Sequence, residues 1–227
     1  MKQNKSLFIL AAVAFIVLSI VNVAGKLFQP AIDIASMVKP ALLPTLAIAT
    51  LAALGDIKRK GVALLIAAQL AGCLGDILLL RGEFAFFAGG ICAFLAGHIC
   101  YISLFKKAYY GLKPGQWGFA MGSMIIFVVV LVLAIGIKGA MLAPMCIYGS
   151  ALAFLIFCGV AGTLRKLGAA WVFILIGAVL FTFSDANIAM GTFGKSYPGQ
   201  PFVIMFTYLL AQALLAIGSV KLIKADA

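Results

Sequence analysis

Charge is what this sequence has least of. Lys, Arg, Asp and Glu make up 10% of its 227 residues, against about 25% in a soluble globular domain, while hydrophobic residues make up 65%. A water-exposed globular surface cannot be built from that mixture, so the chain is predicted to be a polytopic membrane protein. Acid is scarcer than base, with 6 Asp and Glu against 17 Lys and Arg. Histidine occurs once, at His98, which excludes the several-His zinc centre that a metal-dependent membrane hydrolase would need. The 5 cysteines (Cys73, Cys92, Cys100, Cys146 and Cys158) form no C-x-x-C pair and lie in apolar runs, so they read as small buried residues. No G-x-G-x-x-G follows a strand pattern, which removes a dinucleotide fold. No aromatic-basic platform accompanies the scattered Lys and Arg, which removes a nucleic-acid partner.

What the sequence does have is apolar runs long enough, at about 17–25 residues each, to span a bilayer. They fall at 6–25, 37–54, 62–80, 84–105, 117–137, 140–160, 168–190 and 202–222. The expected fold class is therefore all-α, a bundle of eight transmembrane helices forming one integral membrane domain over residues 1–227. The first run follows Lys2 and Lys5 but is long for a signal peptide, and Asn22-Val23-Ala24 is a poor cleavage site, so it reads as an anchor. Alternate loops divide the Lys and Arg 12 against 5, with Lys58, Arg59, Lys60, Lys106, Lys107, Lys113, Arg165 and Lys166 on the richer side. This bias places both termini in the cytoplasm. The C-terminal Lys224-Ala225-Asp226-Ala227 is no ER-retention signal, which suits a bacterial inner membrane. No pattern fixes an oligomeric state.

Two acids stand inside lipid-like sequence, Asp76 in GCLGDILLL and Asp185 in LFTFSDANIAM. A charged side chain near the bilayer centre costs about 2.5–3.5 kcal/mol even on insertion scales, so such a residue has a partner or a task. With runs ending at 80 and 190, each acid lies four or five residues before its helix ends, about 6–8 Å below the outer edge of the core at 1.5 Å per residue. Lys39-Pro40 at the mouth of helix 2, Tyr148 on helix 6, and Tyr208 and Gln212 one turn apart on helix 8 reach inward from the same side. His98 sits deeper, toward the other end of helix 4. Gly72 and Gly75 beside Asp76 suggest a close backbone approach, and Ser184 and Asn187 flank Asp185 as hydrogen-bond partners for it or for a water. The plainer alternative is that each acid ties helices together, with Lys39, Arg81 or a Tyr as partner.

Other features carry less. Phe84, Phe86 and Phe87 read as an interfacial or lipid-facing belt, and the segment from Tyr109 to Trp117 as a turn with interfacial aromatics. The small-Asp patterns of helices 3 and 7 hint at a parallel 4+4 repeat.

Taken together, these residues resemble a known family. Lys39-Pro40 opening helix 2, Gly75-Asp76, the run from Phe86 and Phe87 to Gly97-His98-x-x-Tyr101, Gly177-Ala178-x-Leu180-Phe181-x-x-Ser184-Asp185, and Tyr208-x-x-x-Gln212 look like the YhhN-type membrane family that includes the lysoplasmalogenases. The resemblance covers about residues 36–215. It implies an eight-helix membrane hydrolase that cleaves the vinyl ether bond of a lysophospholipid, releasing a fatty aldehyde and glycerophospho-ethanolamine or glycerophospho-choline, with no cofactor or metal and with membrane lipids as its surroundings.

The residues suit that chemistry. Vinyl ether hydrolysis protonates the carbon distal to oxygen and then adds water to an oxocarbenium ion. Two carboxyls of different protonation, Asp76 and Asp185, supply an acid and a base, as in the glycosidases. Tyr148, Ser184, Asn187, Tyr208 and Gln212 are candidates to orient the water or the ether oxygen. Lys39, beside a helix N-terminus, is a candidate for the substrate phosphate, and its alternative role is to snorkel to the interface. His98 completes the candidate substrate-binding set. The rival reading is a proton-coupled membrane transporter, since intramembrane acids also build proton relays, with Pro44 and Pro144 as helix breaks. A purely structural membrane protein is the third option.

Overall fold

The computed structural model describes residues 4–28 and 33–225 and contains, among these, no strand. Its helices are α1 (Lys5–Phe28), α2 (Ile34–Leu54), α3 (Val62–Leu78), α4 (Phe84–Leu104), α5 (Pro114–Ile135), α6 (Leu142–Leu164), α7 (Ala170–Thr192) and α8 (Gln200–Ala225), with short 3₁₀ turns at Lys106–Ala108 and Gly139–Met141. All eight match the runs expected from hydropathy, with no end displaced by more than four residues. Seven are long and apolar enough to cross a membrane. The shorter α3, at 17 residues, is about 26 Å long. Side chains such as Phe119 (80% exposed), Leu133 and Ile126 stand open on α5, as do Leu10 and Ile20 on α1, an arrangement that lipid favours and water does not. The protein is an integral membrane protein.

Local chemistry sets the helix ends. Asp33 caps α2, its carboxylate accepting from the Ser36 N–H at 3.0 Å. Gly55 closes the same helix with a left-handed φ of 80°, and Gly136 closes α5 in the same way at 81°. Pro114 starts α5, where its missing N–H costs nothing. Pro40 and Pro44 lie inside α2 without breaking it. Pro44 cannot donate to the Pro40 carbonyl, and the Cys73 thiol of α3 approaches that oxygen at 3.5 Å instead. Pro144 falls in the first turn of α6, where proline is tolerated. Neither Pro44 nor Pro144 is therefore the break that the transporter reading expected.

Two compact units make up the chain, one holding α1 to α4 with the end of α8 from Ala216, the other running from Phe105 to Leu215. In the first, α1 meets α2 through the Asn22 amide, which donates to the Ala35 carbonyl at 2.7 Å, and through Gly25, whose place leaves only 3.0 Å between an added Cβ and the Ala35 Cβ. Helix α4 lies against α3 at Gly90 and Gly97; a Cβ at Gly97 would come within 3.1 Å of the Ala68 carbonyl. At Gly75 the expected close approach is that of α4: the Gly75 carbonyl lies 3.4 Å from where a Cβ on Gly90 would stand, and the place of Gly75's own side chain is taken by the ring of Phe94.

In the second unit α6 and α7 form the tightest seam. A Cβ at Gly159 would stand 2.6 Å from the Cα of Leu175, and one at Gly162 would stand 2.1 Å from the Trp171 ring. Phe105 packs its ring edgewise on the fully buried Trp171, centroids 5.9 Å apart. The segment after α4 is more than a turn: Tyr109 and Trp117 join Phe154 and Phe157 of α6 in an aromatic cluster. Among the cysteines only Cys158 is buried, while Cys92 is exposed and the other three are half-buried, because apolar sequence on a membrane helix faces lipid as readily as protein.

Candidate functional site

The first unit brings Lys39 to Asp76. The Lys39 ammonium lies 3.2 Å from Asp76 Oδ1, with the carboxylate side chain 3% exposed and the lysine 12% exposed. The pair links α2 to α3. Lys39 is not at the mouth of its helix. α2 begins at Ile34, so Lys39 lies in the second turn, and the N-terminus is already occupied by the carboxylate of Asp33, to which Lys26 also reaches at 3.4 Å. The expected anion site beside a bare helix end is thus absent, and the lysine serves an intramembrane acid. That pairing satisfies the electrostatics, because a charge buried alone costs several kcal/mol.

Below the pair the α2–α3 contact continues with polar groups. Cys73 meets the Pro40 carbonyl, and further along the Thr50 hydroxyl donates to Gln69 Oε1 at 3.0 Å. Gln69 is wholly buried and lies two turns before Asp76 on α3. That spacing was its one sequence signal. His98 is buried on α4 in the same unit.

The second unit brings Tyr148 to Asp185. The Tyr148 hydroxyl donates to Asp185 Oδ2, joining α6 to α7, and both residues are buried. Ser184 and Asn187 do not serve this carboxylate. The Ser184 hydroxyl donates to the Ile204 carbonyl of α8 at 3.0 Å. The Asn187 amide donates to Phe183 O within its own helix, its Oδ1 accepts from Tyr197, and its backbone carbonyl accepts from Gln200. Both residues fix α7 to α8 and to the loop between them, since a Ser or Asn one or two residues from an acid points to a different face of the helix. Tyr208 is buried edge-on against Phe181, ring centroids 5.5 Å apart, and Gln212 one turn later is 1% exposed. Tyr197 and Gln200 were not anticipated. Tyr197 stands in the α7–α8 connection, where polar sequence reads as loop, and Gln200 is the first residue of α8.

Each acid therefore has a chemically specific partner, an ammonium for Asp76 and a phenol for Asp185. Their depths along their own helices differ from expectation. Asp76 stands two residues before the end of α3 and Asp185 seven before the end of α7, because α3 stops at Leu78 although apolar sequence runs to Leu80. Among the described residues no three His, Cys, Asp or Glu side chains gather in a way that could hold a metal ion.

Residues 34–219 match the profile of the YhhN family. Among curated proteins, a 163-residue stretch is 31% identical to lysoplasmalogenase TMEM86B of Mus musculus, covering 70% of this chain and 64% of that protein. TMEM86B of Homo sapiens is 30% identical over 159 residues, covering 70% of this chain and 64% of the relative. Lysoplasmalogenase TMEM86A of Bos taurus is 30% identical over 152 residues, covering 65% of the chain and 61% of the relative. The matched stretch thus spans less than two thirds of the length of each of these relatives. No solved structure is significantly similar.

Proposed function

This chain belongs to the YhhN family, and on that footing we propose that it is a membrane hydrolase of the lysoplasmalogenase type. Its substrate is a lysophospholipid with a vinyl ether chain, and water cleaves that ether to a fatty aldehyde and a glycerophospho-alcohol. The observation that supports this reading best is the buried ion pair of Lys39 and Asp76. An acid kept inside a membrane with a lysine buried beside it suits a reaction that develops positive charge.

In the proposed reaction Asp185 delivers a proton to the vinyl carbon distal to oxygen, and its hydrogen bond with Tyr148 steadies the carboxyl as it changes charge. The oxocarbenium ion that results is stabilised by the Asp76 carboxylate, which also takes a proton from the attacking water. The hemiacetal then collapses to the aldehyde: its hydroxyl proton passes to Asp185, its carbon–oxygen bond to glycerol breaks, and the glycerol oxygen takes the proton held by Asp76. Both acids are regenerated, and one water is consumed for each bond broken. Lys39 balances Asp76 through this cycle, and Tyr208, Gln212 and His98 are buried side chains that hold the substrate. The Lys and Arg distribution supports cytoplasmic termini, and the proposed location is a bacterial inner membrane.

The test is direct. Purified protein in detergent or liposomes is given a lysoplasmalogen, and released aldehyde is measured. Aldehyde release with wild-type protein and its loss in Asp185→Asn supports the proposal. Substrate-driven proton uptake into liposomes without any aldehyde would replace it with the transporter.

A further inference from the structure

The face of the second unit formed by α5 and α6 carries a groove of about 540 Å³, within the range of ordinary ligand pockets. Its walls include Phe119 and Ser123 of α5 and Ala153 and Phe157 of α6, and of fifteen lining residues only Gln116, Ser123 and Arg165 are polar. It exists because small residues recur on the facing sides: Gly115, Ala120 and Ser123 on one helix, Ala153 and Ala161 on the other. The lining runs from Gly115 to Phe127 on α5, and at 1.5 Å per residue that is about 18 Å. Half the hydrocarbon core of a bilayer is about 15 Å, so the groove matches one chain of one leaflet.

Its two ends differ in character. Deep along the helices it is apolar. At the start of α5 and the end of α6 it meets Gln116 and Arg165, and the adjoining loops add Lys106, Lys107, Lys113 and Lys166. The two loops are physically joined, because Arg165 Nη1 donates to the carbonyls of Lys107, Ala108 and Tyr110 at 3.1, 2.7 and 3.1 Å. Arg165 is itself exposed, and from Phe84 to Ser184 the sequence contains no Asp or Glu. A guanidinium anchored on one side and open on the other is a phosphate receptor of well-defined direction.

We propose that this groove is a binding site for an anionic phospholipid of the surrounding membrane, with one acyl chain lying along α5 and α6 and the phosphate on Arg165. Neither buried acid lines it, and the site does not depend on the proposed hydrolase activity. Charge complementarity selects the occupant, since basic pockets between transmembrane helices favour anionic headgroups.

The test uses the protein's own tryptophans. Trp117 stands 5.9 Å, centroid to centroid, from the groove-lining Phe157, whereas Trp171 is wholly buried and supplies a constant background. The full chain is placed in phosphatidylcholine vesicles containing rising fractions of phosphatidylglycerol brominated high on its acyl chains, or of phosphatidylcholine brominated at the same place. Phosphatidylglycerol should reach half-quenching at a several-fold lower fraction, and Arg165→Gln should reduce that preference by about fivefold, the effect of one cation near a lipid surface. Ser123→Leu fills the groove while leaving Arg165 and both loops untouched, and it should weaken quenching by the anionic lipid; it also decides the matter if R165Q does not fold. Equal quenching by the two lipids overturns the proposal. So does a loss in R165Q with none in S123L, which would mean surface attraction without a seated chain.

Discussion

The ammonium of Lys39 and the carboxylate of Asp76 meet at 3.2 Å on facing turns of α2 and α3, both nearly shut off from their surroundings. Removing one partner strands the other, which typically costs about 3–5 kcal/mol, whereas replacing both with apolar residues of similar size is often close to neutral. Asp76→Asn alone should therefore lower the melting temperature markedly, and Lys39→Met with Asp76→Leu should restore much of it. Thermal unfolding in detergent checks the stability, and aldehyde release should stay absent in the rescued double variant. A rescued variant with activity would make the pair purely structural.

Asp185→Asn keeps the shape of its side chain but can neither donate an acidic proton nor accept one at neutral pH. Turnover should fall by about 10²–10⁴-fold, the scale of general acid–base catalysis. Combining it with Asp76→Asn should cost little more than the worse single change, because groups serving one step are non-additive. Independent, multiplying losses in folded protein would separate the two acids.

Tyr148→Phe deletes the hydroxyl that donates to Asp185. Asp185 becomes charged as it gives up its proton, and a hydrogen bond to a charged group is worth about 1.5–3 kcal/mol, so kcat should drop by roughly 10–150-fold. KM should change little, since the contact steadies the acid and not the lipid. Measuring kcat and KM separately distinguishes this from a general loss of packing, which would move the melting temperature as well.

Glycine positions 162 and 115 make a matched comparison. Gly162→Ala would drive a Cβ to 2.1 Å from the Trp171 ring, beyond the usual overpacking cost of about 1–3 kcal/mol, so little folded protein should survive extraction. At Gly115, in the first turn of α5, an added Cβ meets nothing within 4 Å, and Ala there should be neutral or slightly stabilising. Size-exclusion profiles of the two variants give the readout.

Asp33 supplies a pH-dependent element. Its hydrogen bond from the Ser36 hydroxyl, the Ser36 N–H and the nearby Lys26 hold its carboxyl below the ordinary 3.8. A carboxyl depressed on folding contributes stability that is complete above its unfolded value and is lost as pH falls through the folded one. Asp33 is exposed, so screening keeps the contribution small. Asp33→Asn should melt slightly below wild type at neutral pH, and the gap should close as pH falls through the depressed value of the folded carboxyl, below which both side chains are uncharged.

Hydropathy made the eight helices legible, because a bilayer demands uninterrupted apolar runs and leaves the chain little choice. The partners of the two acids were harder to read. Lys39 reads as an interfacial cation if the helix starts with the apolar run at residue 37; the Asp33 cap sets the start at Ile34 and carries Lys39 inward. Ser184 and Asn187 adjoin Asp185 in sequence, but a helix turns about 100° per residue, so adjacency there means separate faces. The tie from Arg165 to three backbone carbonyls involves no side-chain pattern at its receiving end and leaves no mark in the sequence.

Helix α1 lies outside the stretch that matches the family, yet its side chains hydrogen-bond to the cap and first turn of α2. Asn22 and Gly25 both meet Ala35, and Lys26 reaches Asp33 and Ser36. Lys39 comes one helical turn after Ala35. A substitution on α1 that shifts the start of α2 therefore also shifts the lysine that meets Asp76, with no change in α2 or α3 themselves.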